Sequence, residues 1–190
     1  MVHGIKVKFV LNTYKENLND FLSSFNKYYN ENNLLIISDK KERLKTLENG
    51  GAWTNRYLKK SLENFPNLNY LVLLDPETRF NGYKNFNYNY LNNPKVWSTF
   101  INNHLCGGCI VFNRPSIEYI LQSRFLLNKK YTSRKFSYYW RSGKEILSCQ
   151  DLILTDCLSN LNIPIEEDKD FSCYPKHLSK KTDKTRLIWH

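Results

Sequence analysis

No stretch of this sequence approaches the roughly 20 uninterrupted apolar residues that a membrane-spanning helix needs, and the longest runs, 34–37 and 71–74, have the length of buried strands. The opening residues, MVHGIKVKFV, lack the basic, apolar and small-residue regions of a secretory signal and lead directly into an alternating strand pattern. A cytoplasmic protein without a membrane span is therefore expected. A disulfide framework is not indicated either. The five cysteines are an odd number at irregular intervals, and a chain of 190 residues can stabilise one domain by burial alone, so reduced thiols are expected. Internal repeats and linker-like segments are absent, which leaves one domain over 1–190 with a basic C-terminal tail at 179–190.

What the sequence has in excess is positive charge. A net charge of +10 at pH 7 favours an anionic partner, whether nucleic acid, a phosphorylated surface or a small diphosphate, and does not by itself choose among them. Lys and Arg are spread over most of the chain, and the one dense cluster lies at 176–186. The frequent asparagines are consistent with a compositional bias and carry no functional weight.

The periodicity predicts alternating strands and helices. Residues 5–11 alternate as a strand, and 17–29 place Leu18, Phe21, Leu22 and Phe25 at helical spacing. A strand is expected at 34–38 and a helix at 53–65, stopped by Pro66, which has no N–H to continue the ladder. The continuous apolar run 70–74 is typical of a central strand covered on both faces. Residues 81–93, NGYKNFNYNYLNN, read as an irregular loop over the sheet rather than a packed element. A strand at 110–112, a helix at 115–126 with Pro in its first turn, and a second helix at 151–161 complete the pattern. Such alternation predicts an α/β fold with a mostly parallel central sheet flanked by helices, because parallel strands need crossovers.

Three segments carry chemistry. Asp75-Pro76-Glu77 follows the buried run 70–74, and the C-terminal end of a strand in an open parallel sheet is where ligands collect. An acid-x-acid pair there offers hard oxygen ligands to a divalent cation bridging two phosphates, although acids after strands are also common turn formers. In Cys106-Gly107-Gly108-Cys109, paired glycines before a strand permit close backbone approach to a ligand or a steep turn. The Cys-x-x-Cys spacing also admits a redox pair or a zinc site. A strand rather than a helix follows, and no second cysteine pair exists, so small buried residues are the favoured reading. Asp151 stands at the start of an amphipathic helix, where it is either a chemical group or a residue stabilised by the helix dipole. Farther on, FSCYPKHL carries an aromatic-flanked His177.

In their order, these segments resemble the Fringe-like β-1,3-glycosyltransferases, the group that also contains the core-1 galactosyltransferases. LLDPETRF occupies the place of that family's aspartate triplet, CGGCIVFNR its glycine-rich strand entry, QDLILTDCLSNLNIP its acidic pair opening a helix, and FSCYPKHL its Phe-His-Pro-type segment. The likeness covers about residues 5 to 178. It implies a single GT-A domain that moves a sugar from a nucleotide diphosphate donor, a UDP-sugar, to a hydroxyl of a glycan or glycosylated protein, with inversion. It further implies that Asp75 and Glu77 hold Mn²⁺ or Mg²⁺, with His177 as a further ligand, and that Asp151 is the general base. Pro76, Gly107, Gly108 and Arg56 are then the donor- and acceptor-binding candidates.

The chain departs from the family at definite points. Pro76 takes the middle of the triplet and Glu77 its last position, one methylene longer than aspartate. Gln150 replaces the first acid of the pair, and Ser172 falls where the metal-binding His belongs, so His177 serves only with a shifted loop. These departures keep open a catalytically inactive module of the same fold that binds nucleic acid or an anionic glycan. Aromatic residues interleaved with Lys and Arg between Lys129 and Arg141 would stack bases in that case.

Overall fold

The computed structural model describes residues 5–12, 18–37, 50–101, 104–128, 135–136, 146–147, 150–172 and 184–189. Its centre is a six-stranded sheet in the order β2-β1-β3-β6-β5-β9, built from β1 (Val7–Asn12), β2 (Leu34–Ile37), β3 (Tyr70–Leu74), β5 (Val96–Ile101), β6 (His104–Asn113) and β9 (Ile165–Glu167). β1 pairs in parallel with β2 and β3, and β5 pairs in parallel with β9, whereas β6 runs antiparallel to both β3 and β5. A second sheet, β10-β11-β4, joins β4 (Arg79–Phe80) to β10 (Phe171–Ser172) and β11 (Ile188–Trp189). β7 (Lys135–Phe136) and β8 (Ile146–Leu147) form a short antiparallel pair.

Every residue of β3 is buried, as its unbroken apolar run requires of a strand with both faces covered. Its side chains alternate between two cores. Leu71 and Leu73 join Val10, Ile110 and Phe112 beneath α2 (Gly50–Asn64), α3 (Arg114–Ser123) and α4 (Gln150–Asn160), packed by Trp53, Tyr57, Ile117, Leu154 and Leu158. Tyr70, Val72 and Leu74 turn to the opposite face, against Phe21 and Phe25 of α1 (Leu18–Phe25) and against Phe86, Trp97, Phe171 and Ile188. Full burial of each such aliphatic or aromatic side chain is worth roughly 1.5–3 kcal/mol, so this two-faced pattern fixes the register of the strand.

Asn113 joins sheet to helix. Fully buried, it caps α3 by accepting from Ser116 N–H at 3.2 Å, accepts from Lys95 N–H at 3.0 Å and donates to the carbonyls of Tyr90 and Asn93. Pro115 occupies the first turn as expected. The helix is shorter than its periodicity suggests: Arg124 adopts a left-handed conformation (φ 54°), and a 3₁₀ turn, Phe125–Leu127, carries the remaining apolar residues.

The expectation for one loop needs correction. Residues 81–93 lack regular structure but are a packed element. Lys84 and Phe86 are buried, and Tyr88 stacks on Trp97 with ring centroids 4.1 Å apart. Asn-rich polarity concealed a loop whose alternate residues point inward. The strand β5 was not anticipated, and β6 extends well beyond 110–112 toward its N-terminus. Within the segment 179–190, expected as a basic tail, Ile188–Trp189 pairs with both β4 and β10.

Candidate functional site

The glycine pair lies where the ladder between β5 and β6 is interrupted. Ser98 pairs with Ile110 and Phe100 with Leu105, so β5 advances two residues while β6 advances five. The extra length is a bulge containing Gly107 and Gly108, and bulges of this kind concentrate next to active sites. Carbonyls released from the ladder must find other donors. The Thr78 hydroxyl donates to Gly108 O at 2.6 Å and the Ser98 hydroxyl to Cys109 O at 2.8 Å, both in buried surroundings. Neither hydroxyl stood out in the sequence.

Thr78 also ties the bulge to the acid-x-acid turn. β3 ends at Leu74, opposite Cys109, and the turn Asp75–Thr78 closes with Thr78 N–H donating to Asp75 O at 3.0 Å. The Arg79 guanidinium donates to the carbonyls of Pro76 and Thr78 at 2.8 and 2.9 Å, which fixes the backbone from which the carboxylates project. Asp75 is half-buried and Glu77 exposed. Two carboxylates on a rigid turn are a donor set suited to a hard divalent cation. Among the described residues no three His, Cys, Asp or Glu side chains cluster, so further ligands would come from outside that set. His177 lies outside the described residues.

Asp151 is linked to the edge of the same bulge through its backbone carbonyl. It stands half-buried in the first turn of α4, and its carbonyl accepts from the Thr155 hydroxyl at 2.7 Å; that hydroxyl in turn accepts from Leu105 N–H at 3.1 Å. Leu105 borders the bulge and Gly108 lies within it, so the hydroxyls of Thr155 and Thr78 tie α4 and the acidic turn to this stretch of β6. Arg56 is on α2, with its guanidinium 5.6 Å from the Trp53 ring.

The cysteines read as buried packing residues where they are described. Burial pushes the Cys109 thiol well above its usual range, and the neighbouring Asp168 charge adds to the shift, the reverse of what a reactive thiolate requires.

A charged cluster beside the bulge escaped the sequence reading. Lys84 Nζ lies 3.0 and 3.2 Å from the two oxygens of Asp168 and 2.6 Å from Asp170 Oδ2. Asp168 also accepts from the Tyr88 hydroxyl at 2.6 Å and from Asp170 N–H at 2.9 Å, while its own N–H donates to Ser98 O. Burial, then the Asp168 charge, pushes the Tyr88 phenol far above its ordinary value. Ser98 thus connects this cluster to the carbonyl of Cys109. The signal for it was weak, a lysine in an Asn/Tyr-rich loop and two aspartates in a charged run.

No protein-family model matches this sequence, and no curated protein is detectably similar to it. Solved structures do resemble it. A glycosyltransferase involved in the glycosylation of the major capsid of PBCV-1 superposes with a TM-score of 0.62 at 10% identity, over 97% of this chain and 93% of that one. A mutant Drosophila beta-1,4-galactosyltransferase 7 in complex with manganese, UDP-Gal and xylobiose gives 0.52 at 10% identity, over 97% and 70%. The catalytic domain of the same Drosophila enzyme with xylobiose gives 0.50 at the same identity and coverage. The fold of this chain is that of the GT-A glycosyltransferases.

Proposed function

We infer that this protein is a metal-dependent glycosyltransferase of Fringe-like type, moving a sugar from a UDP-sugar to a hydroxyl of a glycan or glycosylated protein with inversion at the anomeric carbon. One observation carries the reading: within a fold shared with glycosyltransferases, the Asp75–Thr78 turn and α4 are each hydrogen-bonded to the glycine bulge or its edge, through Thr78 to Gly108 O and through Thr155 to Leu105 N–H. The solved Drosophila neighbour, crystallised with manganese and UDP-Gal, supports the same class of donor and metal.

Asp75 and Glu77 would hold Mn²⁺ or Mg²⁺, joined by His177. When bound, the cation supplies positive charge against the diphosphate leaving group. Gly107 and Gly108, with no side chains to intrude, let the backbone approach the sugar. Asp151 takes the proton of the acceptor hydroxyl as that oxygen bonds to the anomeric carbon; the bond from that carbon to the diphosphate breaks, and its electron pair leaves with UDP. Pro76 and Arg56 border the donor in this arrangement.

The direct test is thermal unfolding with UDP and Mn²⁺. A ligand bound by the native state alone at 100 times its Kd adds about 2.7 kcal/mol, which for a chain of this size is roughly 5–11 °C in Tm. An unchanged Tm at millimolar UDP and Mn²⁺ would remove the proposed nucleotide site.

A further inference from the structure

The turn Asp75–Thr78 presents two carboxylates but withholds its backbone. Asp75 O accepts from Thr78 N–H at 3.0 Å. The carbonyls of Pro76 and Thr78, the neighbours of Glu77 on either side, both accept from Nη1 of Arg79, at 2.8 and 2.9 Å. A carbonyl already in contact with a guanidinium is a poor ligand for a metal ion, because the two positive centres would repel across one oxygen. The guanidinium itself is held in place. The backbone of Arg79 pairs with Trp189 in the small sheet, its side chain is only 22% exposed, and Nη2 lies 3.8 Å from Asp20 Oδ2 on α1. At that distance, and 77% exposed, Asp20 neutralises it only weakly. A fixed positive charge therefore lies against the backbone of a turn that offers two negative ones.

We propose that Arg79 makes this turn selective for a divalent cation that already carries a diphosphate, against the bare cation. The inference rests on the metal-dependent donor reading above and extends it to the form in which the donor is bound. The signs of the charges decide. Bare Mn²⁺ is attracted by Asp75 and Glu77 but repelled by Arg79. The Mn²⁺ complex of a UDP-sugar carries no net charge and that of UDP is negative, so the repulsion vanishes in the first and becomes attraction in the second, while the carboxylates still meet the cation. Coordination points the same way. Hard cations take roughly six oxygen ligands or more, and with the carbonyls of Asp75, Pro76 and Thr78 engaged, phosphate oxygens are the donors suited to complete the set begun by one or two carboxylates.

The test compares wild type, Arg79→Gln, Arg79→Lys and Asp20→Asn in the full chain. Binding of Mn²⁺ alone is followed by the paramagnetic resonance signal of the free ion, and binding of UDP in millimolar Mn²⁺ by calorimetry. Arg79→Gln should weaken UDP binding about three- to tenfold while binding Mn²⁺ alone as well as wild type or better. Arg79→Lys, which keeps the charge and the donors, should restore most of the UDP affinity. Asp20→Asn removes an exposed counter-charge without touching the core, and should shift both affinities in the opposite sense by about twofold. A parallel loss of both affinities in Arg79→Gln overturns the selectivity, since it assigns Arg79 to the shape of the turn alone; an unchanged UDP affinity in that variant overturns it as well. Should Arg79→Gln fail to fold, Asp20→Asn decides in its place, and two unchanged affinities there overturn the selectivity. Each of these outcomes leaves the donor reading standing. A wild type that binds no UDP in the presence of Mn²⁺ overturns that reading and this inference with it.

Discussion

Replacing Lys84 by Met tests the charged cluster that anchors the 81–93 loop. The side chains of Lys84 and Asp168 are 8% and 6% exposed, while Asp170 is 47% exposed. Methionine preserves the length of the stem and its contacts with the Phe86, Tyr88 and Phe171 rings, which lie 5.4–5.9 Å from the ammonium. What disappears is the charge facing Asp168, which keeps two hydrogen bonds but stays buried without a counter-ion. Breaking a buried pair in this way costs about 3–5 kcal/mol, or roughly 6–20 °C in Tm for a chain of this length. The double variant Lys84→Met/Asp168→Asn removes both charges and should recover part of the loss, giving a clear departure from additivity. Thermal and urea unfolding followed by circular dichroism supply both numbers. A single variant within about 1 kcal/mol of wild type, or a double variant equal to the sum of its singles, would refute the coupling.

Four further outcomes are expected. Asp75→Asn and Glu77→Gln should each weaken Mn²⁺-dependent UDP binding in calorimetry with little change in Tm, because neither side chain is in the core. Asp151→Asn should lower sugar transfer by on the order of 10²–10⁴-fold while UDP affinity and Tm hold; transfer near the original rate would return Asp151 to a helix-terminus role. Thr78→Val should cost about 1–3 kcal/mol in urea unfolding by orphaning the Gly108 carbonyl, and should weaken UDP binding as well. Burial pushes the Cys157 thiol up to about 12, so its neutral form favours the folded state. That contribution is complete below pH 9 and declines as pH rises toward 12, and Cys157→Ala should flatten this part of a Tm–pH profile.

The parts of the fold that were legible in the sequence are those fixed by local pattern. The run 70–74 became β3 with the same bounds, because five consecutive apolar residues can be satisfied only by a strand covered on both sides. Helices at 53–65 and 151–161 were recognisable from period and terminators, and each lies within a few residues of its expected bounds. The antiparallel course of β6 and the existence of β5 were not legible, since both depend on pairing across the bulge. The acidic turn, the glycines and the helix-start aspartate could be picked out singly. What ties the acidic turn and α4 to the bulge are Thr78 and Thr155, ordinary hydroxyls that bond a carbonyl and an N–H group of β6.

The same distinction bears on the basic, aromatic character of the chain. In sequence, tyrosines among lysines between Lys129 and Arg141 resemble a surface for stacking bases; apart from 135–136, that stretch lies outside the described residues. In the fold, Tyr57 and Tyr70 are wholly buried, Tyr88 lies against Trp97, and burial drives the phenols of Tyr29 and Tyr88 well above their ordinary range. Lys84 and Lys95 place their ammonium groups over these inward-facing rings and pair with Asp168 and Glu166. A base cannot stack on a ring that already packs against the protein. The tyrosine–lysine pairs that the described residues display are therefore internal supports of the 81–93 loop and the β5 edge. The solvated Lys and Arg of the chain form a distribution as well suited to a small diphosphate ligand as to a polymer. Under the proposed function the acidic turn serves the diphosphate through a bridging cation, because carboxylates repel bare phosphates.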